Sequence, residues 1–238
     1  MIYRIADFNI DIIYSYDNND IFLADYLCAD ANEADFAVRI TEQDIDFEAN
    51  NAVKTEHVLR FSRGYLERLA ILRKICAAVL SRGAFLIHGA LIAYEGRGYL
   101  FCASSGTGKT THVLLWQKPF GADNVTIVNG DKPLIRFCDG RPYAYGTPWC
   151  GKEGYNKNTR IPLDAVCFIE RNAENSICKI DETTALQRIL SQIMVTDSAD
   201  LAAQLDLVGR LIETVPAYEL MCNTDAEAAR IAYEGMKA

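Results

Sequence analysis

A chain of 238 residues and 26.5 kDa is long enough for one sizeable domain, or a domain with a small appendage, and short for two full ones. Half of it is apolar and 24% is charged, a globular balance that excludes disordered, collagen-like and coiled-coil chains. A net charge of −8 and a pI near 5.0 exclude a general nucleic-acid coat.

That charge is unevenly spread. Residues 1–57 carry −10, 58–105 carry +5, 106–160 carry +4 and 161–238 carry −7. A basic centre between acidic ends is expected of a protein holding a localised anion such as a phosphate. No apolar run approaches the roughly 18 residues of a membrane helix, and Asp7 and Asp11 break any signal-peptide reading of the N-terminus. Cys28, Cys76, Cys102, Cys138, Cys150, Cys167, Cys178 and Cys222 are scattered without a Cys-x-x-Cys pair. They read as reduced, mostly buried thiols of a cytoplasmic protein.

In chain order, Phe8, Ile10 and Ile12 alternate with Asn9 and Asp11, which predicts a half-buried strand. Asp17 to Asp20 predicts a turn and Phe36 to Ile40 a second strand. From about Ser62 to Leu80, the apolar set Leu66, Leu69, Leu72, Cys76 and Val79 has helical spacing, and Arg63, Arg68, Arg73 and Lys74 read as a solvated face. Short strands are predicted at Phe85 to His88, Leu91 to Tyr94 and Tyr99 to Cys102, then a helix from about Lys109 to Gln117. Further strands are predicted at Val125 to Val128, Pro133 to Phe137 and Ala165 to Ile169. The last third reads as mostly helical: helices over Thr183 to Val195 and Ala199 to Glu213, a strand over Ala217 to Cys222, and a capping box at Thr224 to Glu227 opening a final helix. The class is α/β with a mixed, partly antiparallel sheet. It divides into an acidic, β-rich N-terminal segment over 1–57, packed on a domain spanning 58–238.

One segment carries specific chemistry. Ala103-Ser104-Ser105-Gly106-Thr107-Gly108-Lys109-Thr110-Thr111 lies between a predicted strand and a predicted helix, the setting of a phosphate-binding loop. Gly106 and Gly108 let the backbone turn its N–H groups inward. Ser105, Gly106, Thr107, Gly108, Lys109, Thr110 and Thr111 are therefore the candidate nucleotide-binding residues. Lys109 would reach the β- and γ-phosphates of ATP, and the Thr110 hydroxyl would ligate Mg²⁺. Ala103 replaces the first glycine of the strict pattern, and alanine fits there if its φ is negative.

Further on, Val125-Thr126-Ile127-Val128-Asn129-Gly130-Asp131 is an apolar strand ending in an acid, placed to face a metal or a reacting hydroxyl. His88, after Phe85-Leu86-Ile87, opens the segment that runs through Leu100 into the loop and also reads as a hydrogen-bonded core residue. His112 is assigned no role. Between Gly146 and Glu153 the glycines would allow a ligand to approach the backbone, Lys152 would offset charge on a transferred phosphoryl group, and Trp149 would stack on a base or substrate. The same stretch also reads as a turn-rich loop in which Trp149 covers a core edge. Lys132, Arg136 and Arg141 are strand-flanking cations that become phosphate partners if they converge.

The segment His88-Gly89-Ala90-Leu91 through Gly96-Arg97-Gly98, then Ser105-Gly106-Thr107-Gly108-Lys109-Thr110, then Gly130-Asp131, resembles HPr kinase/phosphorylase. The loop and Gly130-Asp131 are also similar to ATP-dependent phosphoenolpyruvate carboxykinase, which shares that nucleotide-binding core. The resemblance covers about residues 84–135. It implies an ATP/Mg²⁺-dependent phosphotransferase core in which Asp131 is base or metal ligand and His88 lies close to it. Two features depart from both families. Lys132 stands where a second carboxylate usually follows, so Asp131 does the work of two or another residue, such as Glu153, supplies the second acid. The stretch around Trp149 also differs from the HPr kinase signature, which places the chain in a small, divergent branch.

The expected function is a kinase acting on a hydroxyl of a peptide, small protein or small molecule, with Asp131, His88, Lys109 and Lys152 as catalytic residues and Thr110 and Asp131 as metal ligands. No nucleic-acid or membrane partner is expected, and a homo-oligomer is compatible with the sequence. The alternatives are an ATP-binding regulatory or assembly module without phosphotransfer and, ranked lower, a carboxykinase-type enzyme.

Overall fold

In the computed structural model, which describes residues 1–54, 61–194 and 201–237, β1 (Ile2–Ile5) and β2 (Phe8–Ile13) pair antiparallel, and β3 (Phe36–Arg39) adds parallel to β2. Phe8, Ile10 and Ile12 are buried on one face of β2, as their alternation requires. Asp17 to Asp20 do not make a turn. Asp17 is the N-cap residue of α1 (Asn18–Leu23), followed directly by a 3-10 turn over Ala24–Tyr26. Turn chemistry loses here to burial: Asn19, Leu23 and Tyr26 are fully enclosed, a gain that local propensity does not contain.

Two helices follow. The sequence reading missed α2 (Glu42–Lys54), which opens on a reciprocal cap. Thr41 N donates to the Asp44 carboxylate at 2.9 Å, and Asp44 N donates to Thr41 Oγ1 at 3.4 Å. α3 (Arg63–Leu80) is capped by the Ser62 hydroxyl and buries Leu66, Leu72, Cys76 and Val79, while Leu69 is half-buried. Its cations are not a solvated face. Arg63 pairs with Asp46 at 2.8 Å and also with Glu42, Arg73 with Glu48 at 2.6 Å, and Lys74 with Asp44 at 2.6 Å. Part of the positive block at 58–105 therefore neutralises part of the negative block before it.

The remaining strands form one mixed sheet centred on β10. In chain order these are β4 (Ala84–Leu86), β5 (Ala90–Tyr94), β6 (Arg97–Cys102), β7 (Thr126–Asn129), β8 (Leu134–Cys138), β9 (Arg141–Tyr145), β10 (Arg160–Arg171), β11 (Ser176–Lys179) and β12 (Ala217–Cys222). β10 pairs parallel with β6 on one side. On the other it pairs first antiparallel with β9 and then parallel with β12. From β6 the sheet continues antiparallel to β5 and antiparallel again to β7. The ends of β6, β7, β10 and β12 and the beginning of β5 thus share one edge. Such edges, where parallel strands end, collect ligand-binding groups in α/β sheets.

Helices cover both faces. α4 (Lys109–Leu115), α5 (Gln117–Phe120) and α8 (Ala226–Met236) lie over a core containing Tyr99, Phe101 and Trp116, while α6 (Glu182–Leu190) and α7 (Leu201–Thr214) cover Leu100, Val166 and Phe168. The expected helix to Val195 ends at Leu190; Val195 itself, and Ala199 and Asp200 at the start of the next expected helix, lie outside the described residues. The C-terminal third is less helical than expected, since β10 is 12 residues long and β11 was not anticipated. The capping box at Thr224 does not form. The N-cap is Asp225, without a side-chain cap, and Asn223 Oδ1 takes the Asp225 N–H at 2.9 Å. All eight cysteines are free thiols, with Cys178 exposed and Cys138 half-buried. Among the described residues no helix is long and apolar enough to cross a membrane.

Candidate functional site

β6 delivers the glycine loop to the shared edge. Gly106 and Gly108 have φ of +79° and +119°, the left-handed region where glycine is favoured, so the bend before Lys109 is built on them. Ala103, which replaces the first glycine of the strict motif, is buried and not among the positive-φ residues. Gly108 is the N-cap of α4, which starts at Lys109. The Lys109 side chain folds back under the loop, where its Nζ donates to Ala103 O at 3.1 Å. Lys109 is 7% exposed and has no carboxylate partner among the described residues. Burial lowers its pKa, an effect opposed by the nearby negative charge of Asp131. Ser105, Gly106 and Thr111 are exposed, and Thr107, Gly108 and Thr110 are half-buried.

Arg171, at the end of β10, was not identified from the sequence. Its Nε donates to Thr107 O at 2.8 Å and a second guanidinium N–H donates to Gly106 O. It thereby engages two carbonyls of the bend from a neighbouring strand, while the Thr107 amide donates within the loop to Ser104 O at 3.2 Å. A cation closing a strand was its one visible signal, and only the parallel pairing of β10 with β6 brings it to the loop.

Asp131 stands beyond the end of β7, on a turn built by Asn129. That residue is fully buried, and its side-chain oxygen accepts from Asp131 N at 2.9 Å and Lys132 N at 2.7 Å, while its Nδ2 donates to Thr147 O at 3.0 Å. His88, just before β5, places Nε2 3.1 Å from Asp131 Oδ1, and Lys132 Nζ pairs with Oδ2. Burial alone would raise the pKa of Asp131. The hydrogen bonds and charges of His88 and Lys132 outweigh it and hold the carboxyl at about 2, against an ordinary 3.8. Glu153 is near: both its Oε2, at 3.4 Å, and Asp131 Cγ, at 3.9 Å, approach the point a Gly151 Cβ would occupy.

Two cavities open on this edge. One, of about 490 Å³, lies between the loop and the ends of β10 and β12 and is lined by Thr107, Gly108, Thr111, Arg171 and Asn223. The other, of about 610 Å³, is lined by Asp131, Lys132, Lys152, Trp149, Phe22 and Arg68. His112 lines the first but belongs to the core: it is buried, accepts from Trp116 Nε1 at 3.2 Å and packs on Phe101.

Several candidates are employed elsewhere. Arg136 donates to Ala6 O at 2.7 Å and lies over the Phe8 ring, bracketing the N-terminal strands rather than meeting a phosphate. Arg141 faces Asp164 in a cavity with Arg97, at the opposite end of β6 from the loop. Gly146 serves chain packing, since a Cβ there would strike Lys157 O and stand 2.8 Å from Val128 O. Trp149 spends its indole N–H on Arg68 O at 3.1 Å.

As a magnesium site, the donor set is small but chemically suitable. Among the described residues no group of three or more His, Cys, Asp or Glu converges as a metal cage. The Thr110 hydroxyl and the ionised Asp131 carboxylate are hard oxygen donors, of the kind that hold Mg²⁺ jointly with phosphates and water.

These elements define a mixed α/β protein with a lysine-bearing glycine loop and a histidine-paired aspartate at one sheet edge. The chain belongs to the family of the SynChlorMet cassette protein ScmC, whose family model matches residues 64–226. No curated protein matches the chain. Among solved structures it is similar to the Hpr(Ser) kinase/phosphatase from Coxiella burnetii, at 9% identity and a TM-score of 0.36, over 64% of this chain and 99% of that one.

Proposed function

We propose that the protein is an ATP- and Mg²⁺-dependent kinase that phosphorylates a hydroxyl of a peptide, small protein or small molecule. The observation that carries this reading is the meeting of Lys109 and Asp131 at one sheet edge. The ammonium is buried and donates to a backbone carbonyl, and the carboxylate is kept ionised by His88 and Lys132. The sequence resemblance of residues 84–135 to HPr kinase points the same way.

In this reading the amides of Ser105, Gly106 and Gly108 and the Lys109 ammonium bind the β- and γ-phosphates, and Arg171 stiffens the bend that presents them. Magnesium, when bound, supplies charge neutralisation to the transferring group, and Thr110 and Asp131 would hold it. The acceptor oxygen forms its bond to the γ-phosphorus as the bond from that phosphorus to the β–γ bridging oxygen breaks. A carboxylate with a pKa of about 2 is a weak proton acceptor. Asp131 therefore chiefly orients the acceptor hydroxyl and, as an anion, balances the positive charge of Lys109 and magnesium beside the reaction. The hydroxyl proton departs late, as a loose transition state allows, passing to the Asp131 carboxylate and from there to solvent.

A second reading, a nucleotide-binding module without transfer, is favoured by the Lys132–Asp131 pair, which engages one carboxylate oxygen. Incubation with [γ-³²P]ATP and a panel of hydroxyl acceptors separates the two. The kinase reading expects label transfer that Lys109→Ala and Asp131→Ala abolish. Tight nucleotide binding with no acceptor labelled would select the module.

A further inference from the structure

We propose that the 610 Å³ cavity beside Asp131 is an acceptor site for a peptide that carries a carboxylate and an aromatic or branched apolar side chain within two positions of its hydroxyl residue. This rests on the kinase reading above and specifies its acceptor.

The walls come from four segments far apart in the chain: α1, α3, the turn after β7 and the stretch after β9. Phe22 and Trp149 meet edge to face at 5.5 Å, and the Arg68 guanidinium lies over Phe22 at 4.6 Å. Arg68 is held by neutral partners, with Nε donating to Asn19 Oδ1 at 2.7 Å and Nη2 to the Asn18 carbonyl at 2.9 Å. No carboxylate among the described residues pairs with it. An arginine oriented in this way keeps its charge and its remaining N–H groups for a ligand carboxylate. Lys132 and Asp131 neutralise each other. That leaves Arg68 and Lys152 against Asp25 on the lining, an excess of positive charge.

The apolar surface does not stop at the cavity. Ile21 and Tyr65 line it yet are 84% and 40% exposed, carrying the apolar wall outward. A small metabolite enclosed beside Asp131 would leave that rim uncovered, whereas an extended peptide covers it while its hydroxyl reaches the carboxylate. The requirement for an apolar neighbour and an acidic one follows from the ring pair and from Arg68.

The test uses dye-labelled pentapeptides with one serine, in which phenylalanine and glutamate occupy each flanking position in turn. Matched peptides replace glutamate by lysine or phenylalanine by alanine. Binding is read by fluorescence anisotropy without nucleotide, label transfer with [γ-³²P]ATP, and nucleotide uptake separately by calorimetry. Replacement of glutamate by lysine should weaken the best peptide at least tenfold. Arg68→Glu should reverse that preference and Arg68→Gln erase it, with ATP affinity unchanged; thermal melting confirms that both variants fold. Equal binding of the glutamate and lysine peptides, an unaltered ratio in Arg68→Glu, or free serine labelled as fast as the best peptide would overturn the proposal. Peptide preference without any nucleotide uptake would overturn the acceptor role and locate the failure in the kinase reading. Nucleotide uptake without peptide preference would locate it in the cavity.

Discussion

His88 places its Nε2 3.1 Å from Asp131 Oδ1 across the gap between the start of β5 and the end of β7. With Lys132 on the other oxygen, the carboxyl is held at about 2. A depressed carboxylate pKa contributes stability above its unfolded value, and that contribution is lost as pH falls through the folded one. Asp131 should therefore remain ionised throughout the range in which the protein works. A carbon-13 titration of its carboxyl should show a midpoint near 2, and a midpoint at the ordinary 3.8 would refute the assignment. In the kinase reading Asp131→Asn lowers phosphoryl transfer by about a thousandfold. His88→Gln, which acts through the aspartate, lowers it about ten- to a hundredfold with nucleotide affinity unchanged. Single-turnover transfer measured beside calorimetry distinguishes the two.

Lys109 is buried against one carbonyl. Lys109→Ala should raise the Kd for ATP by about a hundredfold, the loss of one charge-assisted contact of about 3 kcal/mol. Lys109→Arg should not restore it, because a planar fork does not fit where a compact ammonium is enclosed. Calorimetry with Mg²⁺ present is the measurement, and an unchanged Kd in Lys109→Ala would remove the loop from nucleotide binding.

Arg171 grips the Gly106 and Thr107 carbonyls from a neighbouring strand. Arg171→Ala should leave the chemical groups in place but let the bend fluctuate. Amide exchange across residues 104–108 should quicken and ATP affinity should fall about tenfold, roughly 1.4 kcal/mol. Unchanged exchange would show that the glycines alone set the loop.

His112 is enclosed against Phe101 and Trp116, and burial pushes its pKa down to about 3 from an ordinary 6.5. The unfolded chain therefore binds a proton that the folded one refuses between those values. Stability is complete above pH 6.5 and falls below it by up to about 1.4 kcal/mol per pH unit. Urea unfolding at pH 7.5, 6.5 and 5.5 should show this slope, and His112→Asn should flatten it.

Glu67, fully buried on α3, accepts from Ser15 N at 2.7 Å, Tyr16 N at 3.0 Å and Asn19 Nδ2 at 2.6 Å. It fixes the entry to α1 and with it the Asn19 side chain that orients Arg68. Glu67→Ala removes the acceptor of three donors, of which Asn19 Nδ2 is buried, and should cost about 3 kcal/mol by urea unfolding, whereas Glu67→Gln should cost less.

Several parts of this architecture were legible before folding. The alternation in β2, the stripe of α3 and the strand–loop–helix around Lys109 all appear where expected, because each is set by contacts within a few residues. Missed or misplaced were α1, α2 and the long β10. α2 carries a local Thr41–Asp44 cap that the sequence did offer. α1 and β10 have weak local signals and draw their stability from partners distant in sequence, Glu67 for α1 and β6, β9 and β12 for β10. The cations of α3 were misread for the same reason. A row of arginines looks solvated until the acidic side chains of α2 are laid across it.

The amino-acid order alone determined the local chemistry: a glycine bend, a lysine behind it, and an aspartate closing an apolar strand. Backbone sterics and short-range hydrogen bonding act between neighbours, so their outcome is written in adjacent letters. Which charges meet was decided only by the tertiary structure. Electrostatic energy depends on distance through space, and strand order brought His88 and Lys132 to Asp131, Arg171 to the loop and the acids of α2 to α3. The same folding step left Arg68 facing a cavity with no carboxylate partner among the described residues.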